Sequence, residues 1–283
     1  MIDALKLSNL NVFLEEDIGS GDITAAIIPE AAQAYAEVIT REAMVMCGQA
    51  WFNEVFRQLN SDVLIDWLVV EGDFVPANTL LCTVQGQARA LLTGERTALN
   101  WVQLLSATAT IAKQYADAVA GTGCKVLDTR KTIPGLRDAQ KYAVSCGGAY
   151  NHRIGLYDGV LIKENHIMAA GSITKAIQVA RQLTTVTVEV EVETMAELTE
   201  ALAAKPDRIM LDNFNLDDLR SAVALTAGKV ELEASGNISL DTIRSVAETG
   251  VDYISIGALT KHVQAVDLSM RIKVLAEYCK RIL

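Results

Sequence analysis

Aromatic side chains are scarce in this chain: five Phe, seven Tyr and three Trp among 283 residues. So few rings argue against a platform for stacking nucleic-acid bases. Positive charge is also short, with 25 Lys+Arg against 35 Asp+Glu and a net charge of −10. Such a surface lacks the basic footprint that nonspecific nucleic-acid or anionic-membrane binding requires. Long apolar runs are missing too, because the stretch 97–112 is interrupted by Asn100, Gln103, Ser106 and threonines. The opening MIDALKLSNLNVFLEED has no basic n-region, apolar h-region or cleavage site. The expectation is a soluble cytoplasmic protein. Five cysteines at 47, 82, 124, 146 and 279 are odd in number, widely spaced and free of any CxxC. That excludes a disulfide framework and a structural zinc site, leaving free thiols. Cys146 falls within the most polar motif, although nothing favours a reactive role for it.

What is present is ordinary globular material, 51% hydrophobic and 21% charged, enough for one large domain or two smaller ones. The first hundred residues show no repeat. An amphipathic helix over about 2–15 leads to the turn Asp17–Asp22, followed by strand-like segments at 34–41 and 63–75 with a turn at Gly72-Asp73. A helix then runs from about Arg89 to Ala120. Its part from Ala98 to Ala112 is apolar on nearly all sides, so it should be buried on several faces or lie in a subunit interface. Residues 1–105 read as a mixed α+β domain.

From residue 124 the pattern becomes regular. Short β-branched runs at 125–128, 159–163, 186–191, 207–212, 230–234 and 253–257 alternate with helical segments at 172–183, 194–204, 216–226 and 240–250. Ser172, Asn215 and Ser239 stand where helix caps belong. Such βα units make a parallel sheet. Asp128, Lys163, Glu191, Asp212 and Ser235-Gly236 lie at or just past the ends of successive apolar runs. In a (β/α) barrel those ends share the face that carries the active site, whereas a solvated surface would scatter them.

Residues 130–166 hold six Lys/Arg, three acids and two of the three histidines, His152 and His166. Arg137 and Lys141, four apart, read as a helix face making surface ion pairs. Arg130, Lys131, Arg153 and Lys163 lie beside strand ends or in Gly-bounded loops, where cations without an anion are costly. Planar guanidiniums suit carboxylates and lysines suit phosphate, so a small polyanion carrying one or both is expected. Glu191 and Asp212 face this cluster. Carboxylates near phosphate call for a divalent cation, and this pairing hints at Mg²⁺. Glu191 has a bland reading as well, because Glu189, Glu191 and Glu193 alternate along one strand side. Ser235-Gly236-Asn237 and Ile256-Gly257-Ala258 follow the last two runs, either as a phosphate site or as simple turns.

The motifs DTRKTIPGLR (128–137), CGGAYNHRIGLYD (146–158), LIKENHI (161–167), EVEVE (189–193), MLDNF (210–214), LEASGN (232–237) and VDYISIGALTKH (251–262) resemble quinolinate phosphoribosyltransferase. EEDIGSGDIT, VITRE and GERTALN extend the resemblance over nearly the whole chain. It implies an incomplete (β/α) TIM-like barrel over 106–265 and an N-terminal α+β open-sandwich domain over 1–105, with the tail from about 266 to 283 packing back on the latter. It also implies transfer of phosphoribosyl from 5-phosphoribosyl-1-pyrophosphate to quinolinate with Mg²⁺, giving nicotinate mononucleotide, CO₂ and pyrophosphate for NAD synthesis. The implied assembly is a homodimer or larger. In it Arg130, His152, Arg153 and Lys163 hold the carboxylates of quinolinate, and Arg96 comes from the partner chain. Thr129, Lys131, Glu191 and Asp212 then serve ribose, pyrophosphate and Mg²⁺, with Lys131, Glu191 and Asp212 catalytic. Ser235, Gly236, Asn237, Ile256, Gly257 and Ala258 serve the 5′-phosphate. One departure stands out: where the family has a third glycine before x-Asn-His-Arg, this chain has Ala149. If that position needs a positive φ the loop is strained, and a small adjustment is expected rather than lost activity.

Three rivals remain from the sequence. A paralogous protein associated with molybdenum transport shares the fold, but the intact set Arg130, His152, Arg153 and Lys163 weighs against it. A Schiff-base aldolase could use Lys163. A phosphosugar sensor would bind ligand and release no pyrophosphate.

Overall fold

The computed structural model describes residues 8–275. Described residues up to 110, together with those from 263 on, form one compact unit, and residues 111–262 form another.

In the first unit, alternation of buried and half-buried residues along β1 (Gln33–Thr40) turns Ala34, Ala36, Val38 and Thr40 inward. β1 pairs antiparallel with β5 (Leu80–Gln87) and β12 (Leu268–Val274), while β3 (Leu64–Trp67) adds to β5 in the order β12-β1-β5-β3. The turn at Gly72-Asp73 therefore makes no hairpin of the 63–75 stretch. β3 pairs with β5, and β4 (Phe74–Val75) with β2 (Met44–Val45). Helix α1 (Asn11–Ile18) extends past the expected end near 15, and the part of that segment before residue 8 lies outside the described residues, as does the tail from 276. Helix α2 (Gln49–Leu59) buries Trp51, Phe52, Val55 and Phe56, one stripe at helical spacing. Helix α3 (Ala88–Ala118) contains the division at 110/111. Between Ala98 and Ala112 only Asn100 is exposed. Its Ser106 and Thr110 hydroxyls accept the N–H groups of Cys47 (3.0 Å) and Val45 (2.8 Å), which explains hydroxyls in so apolar a run.

The second unit is a six-stranded parallel sheet in the order β6-β11-β10-β9-β8-β7. The strands are β6 (Lys125–Leu127), β7 (Val160–Ile162), β8 (Val188–Val192), β9 (Arg208–Asp212), β10 (Glu231–Ser235) and β11 (Tyr253–Ser255). β7 to β11 are laid down in sequence and β11 returns to β6, whereas β6 and β7 are not paired, so the barrel is incomplete. The chain between these two edge strands carries helix α4 (Arg137–Cys146) and a single parallel bridge from Tyr150 to Leu127. Period 2 sorts the strands: Val188, Val190, Val192, Ile209, Leu211, Leu232 and Ala234 join the hydrophobic core, and the alternate residues face the other way.

Helix α6 (Ile173–Leu183) is capped by Ser172, helix α7 (Met195–Ala204) by Thr194, and helix α8 (Leu216–Thr226) by Asn215. Ser239 is not a cap. It lies in a turn where its N–H donates to the Thr242 hydroxyl at 2.9 Å, and the helix at 240–250 shrinks to α9 (Ile243–Ala247). Among the described residues no helix is long and apolar enough to cross a membrane. Cys82 and Cys124 are free thiols, and burial pushes Cys124 up to about 12.

Candidate active site

Residues spaced by two along the parallel strands share a face, so Glu189 and Glu191 of β8, Arg208 and Asp212 of β9, and Glu233 and Ser235 of β10 all point away from the apolar core. Two levels result. Lys163, Glu191, Asp212 and Ser235 form a rim at the strand ends. Glu189, Arg208 and Glu233 form a floor beneath it, joined by His152.

At the rim, the Lys163 ammonium is ion-paired with Glu191 from the adjacent strand. Lys163 also opens helix α5 (Glu164–Ala170), where its N–H donates to His166 Nδ1 at 3.0 Å. Asp212 is half-buried and accepts 2.7 Å from Asn213 Nδ2. The alternating glutamates are not a solvated face: Glu189 and Glu191 are buried, and only Glu193, beyond the strand, is exposed.

Arg130 and Arg153 bring a second group of cations. The Arg130 Nε is buried without a hydrogen-bond partner. Arg153 donates 3.0 Å to the Gly159 carbonyl. Burial, and then the Arg130 charge, push the Arg153 pKa down, so the two guanidiniums feel each other. Among the described residues neither makes an ion pair with a carboxylate. Lys131 lies nearby. Its N–H donates to Thr129 Oγ1 at 3.1 Å, its carbonyl accepts from Thr260 Oγ1 at 2.9 Å, and a Cβ on Gly257 would stand 3.0 Å from its Cδ.

His152 has no free ring nitrogen. Its Nδ1 accepts the Arg153 N–H at 2.8 Å, and its Nε2 lies 2.8 Å from Glu189 and 3.5 Å from Glu233. This pattern makes Nε2 the protonated nitrogen, and burial lowers the pKa of the ring. Burial also pushes Glu189 up to about 7 and Glu233 up to about 8, the latter helped by the Glu189 charge. Arg208 answers them with one nitrogen 3.3 Å from Glu233, another 3.4 Å from Glu231, and its guanidinium stacked 3.9 Å from the Tyr253 ring. A cavity of about 320 Å³ lies along this side, lined by Asn151, His152, Arg153, Gly159, Glu189 and Arg208 among others.

Lys141 is not on a surface face with Arg137. It is buried and ion-paired with Asp128, which is itself fully buried. Burial raises the Asp128 carboxyl and lowers the Lys141 ammonium, and the charge of each partner opposes the shift of the other. Arg137 instead donates 3.2 Å to the Thr132 hydroxyl and 3.2 Å to the Ile154 carbonyl. Sequence reasoning also passed over Glu189, Arg208 and Glu233. The available signal was periodicity, since each stands two or four residues before a rim residue of its own strand.

The two glycine loops differ. Gly236 has φ +99°, and a Cβ there would overlap Asn213 Oδ1, so only glycine fits. The Asn213 N–H donates 2.9 Å to the Ser235 carbonyl and its side chain accepts 3.2 Å from Asn237, tying the ends of β9 and β10 together. A cavity of about 790 Å³ with Asn213, Gly236 and Asn237 in its lining opens here. In the other loop the Ile256 N–H is already taken by the Leu127 carbonyl at 2.9 Å, leaving residues 257 and 258. Ala149 is buried with no positive φ, and Gly148 takes φ +84° instead, so the missing third glycine strains nothing.

Arg96 belongs to the first unit. It is exposed and shares a cavity of about 300 Å³ with Asp17, Asp22 and Thr93. The Asp22 carboxylate accepts from the Ala25 N–H (2.8 Å) and the Thr93 hydroxyl (2.9 Å), which ties the EEDIGSGDIT motif to the residue just before GERTALN.

Comparison with known proteins gives a consistent picture. Residues 22–106 match the family model described as quinolinate phosphoribosyl transferase, N-terminal domain, and residues 108–271 match the one for its C-terminal domain. The probable nicotinate-nucleotide pyrophosphorylase [carboxylating] of Bacillus subtilis is 43% identical over 263 residues, 92% of this chain and 91% of that protein. Its counterpart from Synechocystis is 42% identical over 268 residues, 93% of this chain and 91% of that one. The structure of nicotinate-nucleotide pyrophosphorylase from Francisella tularensis superposes with a TM-score of 0.94 at 48% identity, covering 96% of this chain and 98% of the other.

Proposed function

This chain belongs to the quinolinate phosphoribosyltransferase family, and from that premise we propose that it transfers phosphoribosyl from 5-phosphoribosyl-1-pyrophosphate to quinolinate. The products are nicotinate mononucleotide, CO₂ and pyrophosphate, a step of NAD synthesis. The observation that carries the reading is the pair Arg130 and Arg153. Two neighbouring guanidiniums, one with a buried Nε lacking any partner, call for an anionic ligand with two acidic groups.

In this reading Arg130, Arg153 and Lys163 bind the two carboxylates of quinolinate, and His152 orients Arg153 from below. Holding the ring by its carboxylates aims a weakly nucleophilic pyridine nitrogen at ribosyl C1, a proximity effect. As pyrophosphate departs, C1 gains positive charge, which Glu191 and Asp212 stabilise while Lys131 stabilises the leaving group. Once the nitrogen is alkylated the ring draws in the electrons of the C2–carboxylate bond, CO₂ leaves, and C2 takes up a proton. Glu191 and Asp212 offer hard oxygen donors on adjacent strands, a set that fits Mg²⁺ shared with pyrophosphate. The ion when bound would neutralise phosphate charge. The loops at 235–237 and 256–258 serve the 5′-phosphate, the second through residues 257 and 258. An ammonium ion-paired with Glu191 is a poor nucleophile, which disfavours a Schiff-base role for Lys163. Cytoplasmic residence and a homo-oligomer in which Arg96 reaches a neighbouring site complete the proposal.

The test incubates the protein with quinolinate, 5-phosphoribosyl-1-pyrophosphate and Mg²⁺ and follows both products. Stoichiometric nicotinate mononucleotide and pyrophosphate, abolished by a chelator, are expected. Absence of product together with absence of quinolinate binding would overturn the reading.

A further inference from the structure

The chemistry above leaves the Asp128–Lys141 pair without a task. A buried ion pair is a weak source of stability, since apolar residues of similar shape commonly do as well or better. Its remaining hydrogen bonds explain it better, because they converge on one stretch of chain. One Asp128 carboxylate oxygen accepts the His152 N–H at 2.9 Å, and the other accepts Asn151 Nδ2 at 2.6 Å. Lys141 Nζ donates to the His152 carbonyl at 3.0 Å. The N–H and the C=O of His152 are thus both held, one by each member of the pair. The Asp128 N–H also donates to the Tyr150 carbonyl at 3.0 Å, and Asn151 Nδ2 reaches the Lys141 carbonyl at 2.8 Å.

The residues so fixed are next to the two arginines. Asp128 stands two positions before Arg130, and His152 directly precedes Arg153, whose N–H it receives on Nδ1. The guanidiniums repel each other, and long side chains on unanchored loops would splay apart. The barrel supplies no strand pairing to prevent this, because β6 and β7 are its unpaired edges and Tyr150 contributes a single bridge. We propose that the buried Asp128–Lys141 pair is a positioning device that sets the separation of Arg130 and Arg153, and so selects dicarboxylates whose acid groups sit on adjacent ring atoms. The proposal rests on the quinolinate reading and adds to it the source of the selectivity.

The experiment compares wild type with the double variant Asp128→Asn/Lys141→Met, which removes both charges together and strands neither. Initial rates give KM for each substrate. Benzene-1,2-dicarboxylate and benzene-1,3-dicarboxylate, which lack the reacting nitrogen, are tested as competitive inhibitors. The expected result is a folded variant with KM for quinolinate raised about tenfold or more and the preference for the 1,2-isomer reduced by a similar factor. KM for 5-phosphoribosyl-1-pyrophosphate should stay within about twofold, a split that a general loss of stability would not produce. A folded variant with unchanged quinolinate KM and unchanged isomer preference would overturn the proposal. So would equal weakening of both substrates, or loss of the folding transition, since the pair would then be holding the fold. Wild type that binds neither quinolinate nor the 1,2-isomer would instead sink the functional reading beneath it.

Discussion

Strand β8 sends two glutamates inward two residues apart, and their surroundings give them different chemistry. Glu191, at the rim, is matched by one ammonium from the neighbouring strand and stands at the strand end. Glu189, a single pleat deeper, shares its site with Glu233, His152 and Arg208, and burial raises it to about 7. One carboxylate therefore stands at the strand end within reach of a ligand, while the other belongs to a buried network that takes up protons. The rim can change its partners during a reaction. The floor is committed to the fold and, through His152, to the placement of Arg153.

The largest effect that would break this contrast is removal of the floor's cation. Arg208→Ala should cost about 3–5 kcal/mol, because two buried acids lose the charge that answers them. Those acids can neutralise themselves by protonation, so urea midpoints should drop less at pH 6 than at pH 8.5. A loss that does not depend on pH would mean Arg208 acts mainly by packing on Tyr253. Next is Glu191→Gln at the rim, with kcat/KM expected to fall about 10²–10³-fold and the thermal midpoint hardly moved. If stability fell as much as for Arg208→Ala, rim and floor would be one structural unit.

The pH dependence sharpens the comparison further. Glu189 and Glu233 are raised to about 7 and about 8 in the folded chain and titrate near the ordinary carboxylate range when unfolded. The folded state therefore binds more protons in between, and the stability this contributes, fully present at acid pH, is lost as pH rises through those values. His152 is lowered, so its own contribution declines on the acid side, as pH falls through its unfolded value. The clean window is from pH 7 to 8, where wild type should lose on the order of 1 kcal/mol per pH unit. Glu233→Gln should flatten that slope in urea titrations, and a slope unchanged from wild type would mean that Glu233 does not carry it. The smallest effect is expected at Ala149→Gly, about 0.4–1 kcal/mol of lost stability from added chain entropy with KM for quinolinate unchanged. A gain in stability would show that Ala149 is strained after all.

Much of the rim was legible in the sequence. Lys163, Glu191 and Asp212 each end a short β-branched run, and parallel strands bring such ends to one face. The floor was hidden by the same regularity. Glu189 alternates with Glu191 and Glu193, a pattern that a solvated strand edge would also produce, and only barrel curvature turns it inward. Lys141 misled for a related reason: four residues from Arg137, it fitted a helix face in water, yet the helix turns it toward Asp128. Ala149 raised a concern about backbone strain that vanished because the positive φ falls one residue earlier, on Gly148.

By itself the sequence determined the run of βα units, the caps at Ser172 and Asn215, the positions of the strand ends and the motifs that carry the family. These follow from local rules of periodicity, turn chemistry and capping that act over a few residues. Tertiary structure alone decided which charges meet. The pairing of Asp128 with Lys141, the neutral His152 above two raised glutamates, and the unanswered Arg130 beside Arg153 depend on burial. Burial is a property of the assembled sheet, and no short stretch of chain contains it.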